Sequence, residues 1–306
     1  MFKTVVILIL LAITSWGYGE PINVLFWDEQ QVEQKQAYDG SFLGEHIVQW
    51  LASDKDLNIT LQTSTDVDNG VATELLKKTD VLVYWSHRNK SPFSQAKAQE
   101  IAERVKSGQM NFLVLHSAHW ALPFMVCMEE KAKEDALARL SETDRAHAVV
   151  KFKGERVWKK RPTHTREQTI DKYAFIDGKV EVTIERPNCV FPRCCTPMQP
   201  SQIRVIDTEH PIASGIPQTF TIPESEMYDE PYGIPEPDRV IFDETWQGGE
   251  YFRSGCLWTL GQGEIFYFRP GHETYNVFKQ ELCLQIVQNA IHYLGQQKMA
   301  GLTKSN

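Results

Sequence analysis

The sequence predicts an α/β protein with a largely parallel, doubly wound sheet, of the glutamine amidotransferase-like (flavodoxin-like) kind, carrying an inserted α+β excursion. Three observations predict it. Short runs that are apolar throughout, among them Val81 to Trp85 and Phe112 to Leu115, mark strands buried on both faces. Segments of helical length alternate with those runs, as crossover connections between parallel strands require. The alternation breaks once, between Glu129 and Pro200, and strand-like patterning resumes at Ser201 to Val205.

Taken in order, residues 1–19 read as a secretory signal. Lys3 supplies the positive region, Val5 to Ile13 the apolar core, and Gly17-Tyr18-Gly19 the small-x-small cleavage pattern. The mature chain is then expected to start near Glu20, in the periplasm or outside the cell. No later run approaches the roughly 18 apolar residues that mark a membrane span. Ile22 to Trp27 reads as a strand, Phe42 to Ala52 as a helix, Ile59 to Thr63 as a strand, and Ala72 to Lys77 as a short helix. Between the strands Val81 to Trp85 and Phe112 to Leu115, a helix is punctuated by Ser91 as N-cap, Pro92 at its first position and Gly108 past its end. The excursion holds a charged helix (Glu129 to Leu140), a basic stretch from Lys151 to Arg166, a hairpin turning at Asp177-Gly178, and a cysteine segment. Strands follow at Arg239 to Phe242, Tyr251 to Leu260 and Glu264 to Phe268, and a closing helix at Glu281 to Leu294. One domain is thus expected over 20–296, with its insertion at about 129–200 and a tail at 297–306.

Composition excludes two classes. With 42% hydrophobic and 11% aromatic residues the chain can bury a core, so it is not disordered. Its net charge of -8 gives no accumulated positive field for a phosphate backbone, so nucleic acid is not the expected partner. The basic stretch reads as a solvated loop. In an oxidising compartment, Cys189 is expected to pair with Cys194 or Cys195; zinc ligation suits the adjacent pair poorly. Cys127, Cys256 and Cys283 stand in apolar contexts and read as buried small hydrophobes.

In an open α/β sheet, ligands bind beyond the carboxyl ends of the strands. Histidines stand there four times: His87, His116, His119 and His272. One such histidine is an ordinary structural residue; several on one rim point to a pocket able to bind a divalent metal or to move protons near neutral pH. His87, His119 and His272 are the expected metal ligands or acid/base groups, with His116 the most structural of the set. A divalent metal such as zinc is the cofactor they suit. Glu226, Tyr228 and Glu230 form an acidic-aromatic turn, and Glu226 and Glu230 are further acid/base candidates. Trp27, Asp28, Glu29, Trp85, His116, Tyr228, Arg253, Arg269 and Glu273 complete the expected wall as substrate-binding residues.

Several of these segments resemble motifs of the ThuA-like (trehalose-utilisation) family, within the class I glutamine amidotransferase-like superfamily. Trp27-Asp28-Glu29 is similar to the family's Trp-Asn-Glu opening, and Asp80 to His87 to its Asp-Val-Leu-x-x-Trp-Gly-His strand. Leu115-His116-Ser117-Ala118-His119, Glu226 to Pro231, Phe252 to Cys256 and, above all, Phe266 to Tyr275 extend the match over nearly the whole mature chain outside the insertion. There are two departures: Gln30, Gln31 and Val32 stand where a histidine is often found, and the insertion exceeds that of compact members. Fold relatives hydrolyse glutamine with a cysteine on a strained strand-to-helix turn. Here that turn reads His116-Ser117-Ala118-His119 and Cys127 lies farther on, so cysteine chemistry is not expected. The resemblance implies an enzyme of carbohydrate metabolism acting on a disaccharide, a glycoside or a 3-keto sugar derivative, by hydrolysis, elimination or isomerisation. A non-catalytic sugar- or partner-binding protein and a metal-dependent hydrolase of another substrate are the alternatives.

Overall fold

The computed structural model describes residues 20–88, 92–154, 171–176, 178–187, 189, 193–194 and 198–304, with side chains through 298. The expected signal segment, Ser91, most of the basic stretch, Asp177 and Cys195 lie outside the described residues. The chain opens with β1 (Ile22–Asp28), α1 (Gln34–Ala37), α2 (Leu43–Leu51), β2 (Leu57–Gln62), α3 (Thr73–Leu76), β3 (Val81–Trp85), α4 (Gln95–Lys106), β4 (Asn111–Leu115) and α5 (Leu122–Ala138). The insertion adds α6 (Glu142–Ala146), β5 (Val149–Lys153), β6 (Lys172–Ile176), β7 (Lys179–Glu185) and β8 (Arg193–Cys194). After it come β9 (Gln199–Val205), β10 (Thr219–Ser225), β11 (Tyr228–Asp229), β12 (Arg239–Trp246), β13 (Tyr251–Leu260), β14 (Gly263–Phe268) and α7 (Glu281–Lys304).

Nine strands form one sheet in the order β10-β9-β12-β13-β14-β4-β3-β1-β2. From β14 through β4, β3 and β1 to β2 every pairing is parallel. From β14 outward to β10 every pairing is antiparallel. The sheet is therefore mixed, a parallel half extended by an antiparallel one. Side chains alternate along each strand, so β1 sends Leu25 and Trp27 to one apolar core and Val24 and Phe26 to the other. The first core is closed by α4 and α5 through Ala98, Ile101, Val105, Phe124 and Cys127; the second by α2 and α7 through Leu43, Ile47, Ile286 and Ile291. Helices on both faces make the sheet doubly wound, as its apolar strands demand.

Several boundaries differ from expectation, among them that of β12, expected to end at Phe242 and running to Trp246. The helix after β3 is capped by Ser94, whose hydroxyl accepts the Lys97 amide at 3.2 Å, and so starts at Gln95. The charged helix starts at Leu122, because Pro123 sits comfortably in its first turn and the apolar run before Glu129 packs against α4 and the sheet. At the other end, residues expected as a tail from 297 continue α7 to Lys304.

The insertion leans on α5. Its strands pair in the order β5-β7-β6, and Val182 and Ile184 meet Ala136 in a small core of their own. Tyr173 donates to the Ala136 carbonyl at 3.0 Å, and Arg186 pairs with Glu129 at 2.6 Å. Cys189 keeps its thiol, buried in the main apolar cluster, whereas Cys194 is in a disulfide, so the bridge expected at Cys189 does not form. Burial pushes the thiols of Cys127, Cys256 and Cys283 well above their usual range.

Candidate active site

The carboxyl ends of β1, β3, β4 and β14 share one rim, and the loops that leave them are tied together. Glu29, just past β1, accepts the amides of His87 and Arg88 at 2.6 and 2.9 Å and so sets the turn after β3. His116, directly after β4, has a left-handed backbone with φ 51°, a conformation that costs a non-glycine residue about 1–3 kcal/mol. Its ring stacks on Trp85 (centroids 5.2 Å apart) and on Tyr228 (5.7 Å). Gly271 makes this packing possible. With φ 153°, it brings its backbone so close that a Cβ there would stand 2.6 Å from the Trp85 ring and 2.7 Å from His116 Cβ.

His116 is fully buried, and its Nδ1 lies 3.0 Å from the carbonyl of Arg269. A carbonyl only accepts, so Nδ1 carries the hydrogen and Nε2 presents a lone pair. Burial, reinforced by the positive fields of His87, His272 and Arg269, holds the ring's pKa well below the usual histidine value, and the ring is neutral. Nε2 faces Oε2 of Glu226 at 3.1 Å, yet neither atom has a hydrogen-bond partner and both are buried.

Glu226 follows β10, the far edge of the antiparallel half, four places from β14 in the sheet. It reaches the rim because Arg269 draws its segment across. The Arg269 guanidinium, fully buried, lies 2.5 and 2.6 Å from the two carboxylate oxygens of Glu244. It also donates to the Glu226 carbonyl at 2.6 Å and to Ser225 Oγ at 2.7 Å.

The exposed side of the group is built by the segment after β14. Nδ1 of His87 hydrogen-bonds Oε2 of Glu273, whose other oxygen lies 3.2 Å from Arg88. Burial alone would raise the Glu273 carboxyl, but the His87 hydrogen bond and the charges of His87 and His272 hold it at about 2. His272 stacks on Tyr275 at 4.1 Å, and its Nδ1 accepts the Thr274 amide at 3.1 Å, which leaves the hydrogen of the neutral ring on Nε2. Burial lowers its pKa, partly opposed by Glu273 and Glu226. His87, Glu226 and His272 each offer a ligand atom, all within 4.8 Å of one another. Metal ligands with bonds near 2.1 Å sit within about 4 Å of each other, so closing on an ion takes a contraction of roughly 1 Å.

His119, expected among the ligands, stands apart. Its Nδ1 lies 2.7 Å from the Cys189 carbonyl, and its ring packs among Tyr228, Tyr232 and Tyr267. His116, expected as the structural member, is instead the buried histidine that faces Glu226. The reason is the left-handed residue at His116, which turns its side chain out of the line that a regular helical turn would share with His119. Other wall candidates are held in the framework. Trp27 is buried against Tyr84, with ring centroids 4.4 Å apart, and its indole donates to the Asn69 carbonyl. Asp28 is buried and accepts from Gln30, Gln34 and Gly44; desolvation pushes its carboxyl up to about 6 despite these bonds. Arg253 clasps Glu230 at 2.8 and 3.2 Å, away from the histidines, so Glu230 is not brought to the cluster. Arg88 and Glu244 were not among the expected site residues, and Gly271 and Tyr275 entered only as part of the Phe266 to Tyr275 match; Glu244 carried a signal, an acid next to Asp243 just after the apolar run Val240 to Phe242.

Ser117 donates to or accepts from the Tyr228 hydroxyl at 2.8 Å in the buried interior, and Cys127 lies inside α5, so neither occupies an exposed nucleophile turn. A groove of about 370 Å³ lined by Asp207, His210, Arg239 and Tyr293 opens at the opposite edge of the sheet, remote from this chemistry.

Two solved structures share the fold over most of both chains. A ThuA-like protein from Bacteroides uniformis is 16% identical with a TM-score of 0.53, covering 90% of this chain and 92% of its own. One from Parabacteroides merdae is 14% identical with a TM-score of 0.55, covering 90% of each chain. No curated protein matches the chain by sequence. The family model described as ThuA, trehalose utilisation, matches residues 23–294, and the chain therefore belongs to the ThuA family.

Proposed function

We propose that this protein is an exported enzyme of carbohydrate metabolism, acting on a disaccharide, a glycoside or a 3-keto sugar derivative, with His87, His116, Glu226 and His272 as its reaction centre. The observation that carries the reading is the pair of buried acceptors, His116 Nε2 and Glu226 Oε2, 3.1 Å apart without a hydrogen bond. Two lone pairs so placed repel each other, and the arrangement is satisfied by something that brings positive charge or donor hydrogens. Sugar hydroxyls are such donors. A divalent cation is the other kind of partner, and membership of a trehalose-utilisation family supports the first kind as substrate.

The residues present fit a borderline metal such as zinc in part. His87 and His116 each have Nδ1 hydrogen-bonded to an oxygen, Glu273 and the Arg269 carbonyl respectively, which is how ligating histidines are oriented with Nε2 forward. His87 and Glu226 would hold the ion, with His272 the third group within 4.8 Å of both; when bound, it would polarise a substrate oxygen. His272 fits less well, since its Nδ1 is occupied by the Thr274 amide. That favours a second role for it: Nε2 of His272 holds a proton to deliver, while Oε2 of Glu226 accepts one. The His87 and His272 side chains are 20% and 16% exposed against 0% for His116, so substrate enters over the first two.

The test is turnover of trehalose and 3-keto-trehalose by the purified mature protein and by E226Q, before and after chelation, with metal content measured on untagged protein. Wild type that turns over no sugar in the panel and binds neither sugar nor metal would sink the proposal. Loss of activity on chelation separates the metal-assisted form from metal-free proton transfer. Export is tested alongside: the secreted chain should begin near Glu20, and a protein retaining Met1 in the cytoplasm would count against it.

A further inference from the structure

We infer that Arg269 is the positioning residue of this site: its guanidinium, with Glu244 as counter-ion, sets where the Glu226 carboxylate stands, and its carbonyl sets which nitrogen of His116 faces it. The inference rests on the proposal that His116 and Glu226 belong to the reaction centre.

A fully buried arginine–glutamate pair is costly to desolvate, and apolar residues of similar volume would fill the space without that cost. The pair makes sense through the donors that Glu244 leaves over. They go to Ser225 Oγ and to the Glu226 carbonyl, two consecutive residues at the end of an edge strand that would otherwise finish far from the parallel rim. The guanidinium also lies over the rings of Trp246 at 5.2 Å and Tyr228 at 5.4 Å. A lysine at this position is a point charge and cannot span a carboxylate and a separate carbonyl at once; the planar fork of arginine can. Meanwhile the Arg269 peptide oxygen takes the His116 Nδ1 hydrogen. One residue therefore determines both halves of the facing pair.

The experiment compares crystal structures and zinc titrations of wild type, the double variant E244Q/R269M, which removes both charges together, and R269K. D243N/R204M, an ion pair on the same sheet outside the cluster, is the control. In the double variant Glu226 Oε2 should move beyond hydrogen-bonding reach of His116 Nε2, while zinc affinity falls about 10- to 100-fold. R269K should fall between it and wild type, and the control should match wild type. A double variant that folds and keeps Glu226 within 3.5 Å of His116, as near as about one hydrogen bond, overturns the inference. Should the double variant fail to fold, R269K carries the same test: displacement of Glu226 supports positioning, and an unmoved Glu226 overturns it. Wild type that binds no zinc counts against the metal-assisted reading alone, because the crystallographic separation is read without metal.

Discussion

Exchanging Glu226 for Gln keeps the side chain's size but turns one of the two facing acceptors into a donor, so His116 Nε2 gains a hydrogen bond it lacks. The expected outcome is a protein stabilised by about 1 kcal/mol and slowed by about 10²–10⁴-fold. Calorimetric melting set beside turnover checks it; a variant that melts earlier yet stays active would contradict the assignment. His116 also predicts a pH dependence. Its folded pKa lies well below the unfolded value near 6.5, so below about pH 6.5 the unfolded chain takes a proton that the folded chain refuses. The stability this group contributes is complete above that pH and declines as pH falls, by up to about 1.4 kcal/mol per unit. Melting curves of wild type and H116Q between pH 7.5 and 5 should therefore diverge, with wild type losing more; parallel curves would remove the claim. At this scale the sequence was only half legible. It marked His87, His116 and His272 by their place after strands. It could not tell His116 from His119, because the choice is made by one backbone dihedral and by a carbonyl 153 positions away.

The elements that carry these residues were easier to read where they are apolar on both faces. β1, β3 and β4 announced themselves as continuous hydrophobic runs; β10, alternating exposed and buried at the sheet's edge, did not, and the start of α5 was hidden by an apolar run that reads equally as strand or helix. The loop after β14 yields a prediction of its own. G271A places a methyl group 2.6 Å from Trp85 and 2.7 Å from His116, so the loop must retreat from the ring stack. A loss of about 1–3 kcal/mol in stability and at least about tenfold in turnover is expected. Wild-type kinetics in G271A would show that the close approach has no bearing on the site.

For the whole molecule, stability should be uneven. The nine-stranded sheet lies between two large cores, whereas the strands of the insertion share a small one, and β6 is exposed along its length. Hydrogen exchange followed by mass spectrometry should find β5, β6 and β7 exchanging well before β1, β3, β4 and β14. Equal protection would mean that the insertion unfolds only with the rest. The parallel half of the fold was legible because a covered parallel sheet leaves its mark on each strand separately. Of the antiparallel half, β9, β12 and β13 were read as strands, but their link to the site was not, because it is an ion pair between residues on β12 and just beyond β14, and nothing in either strand alone predicts the partner.

The wide antiparallel half also separates two parts of the surface that tolerate change differently. The turn between β9 and β10, around Thr208 and Glu209, emerges at the edge opposite the histidines, and both residues are exposed. A fluorophore, affinity handle or whole fusion partner attached there has a rigid sheet between itself and the chemistry, so the protein can be tethered to a surface by that turn with its working edge facing the solution.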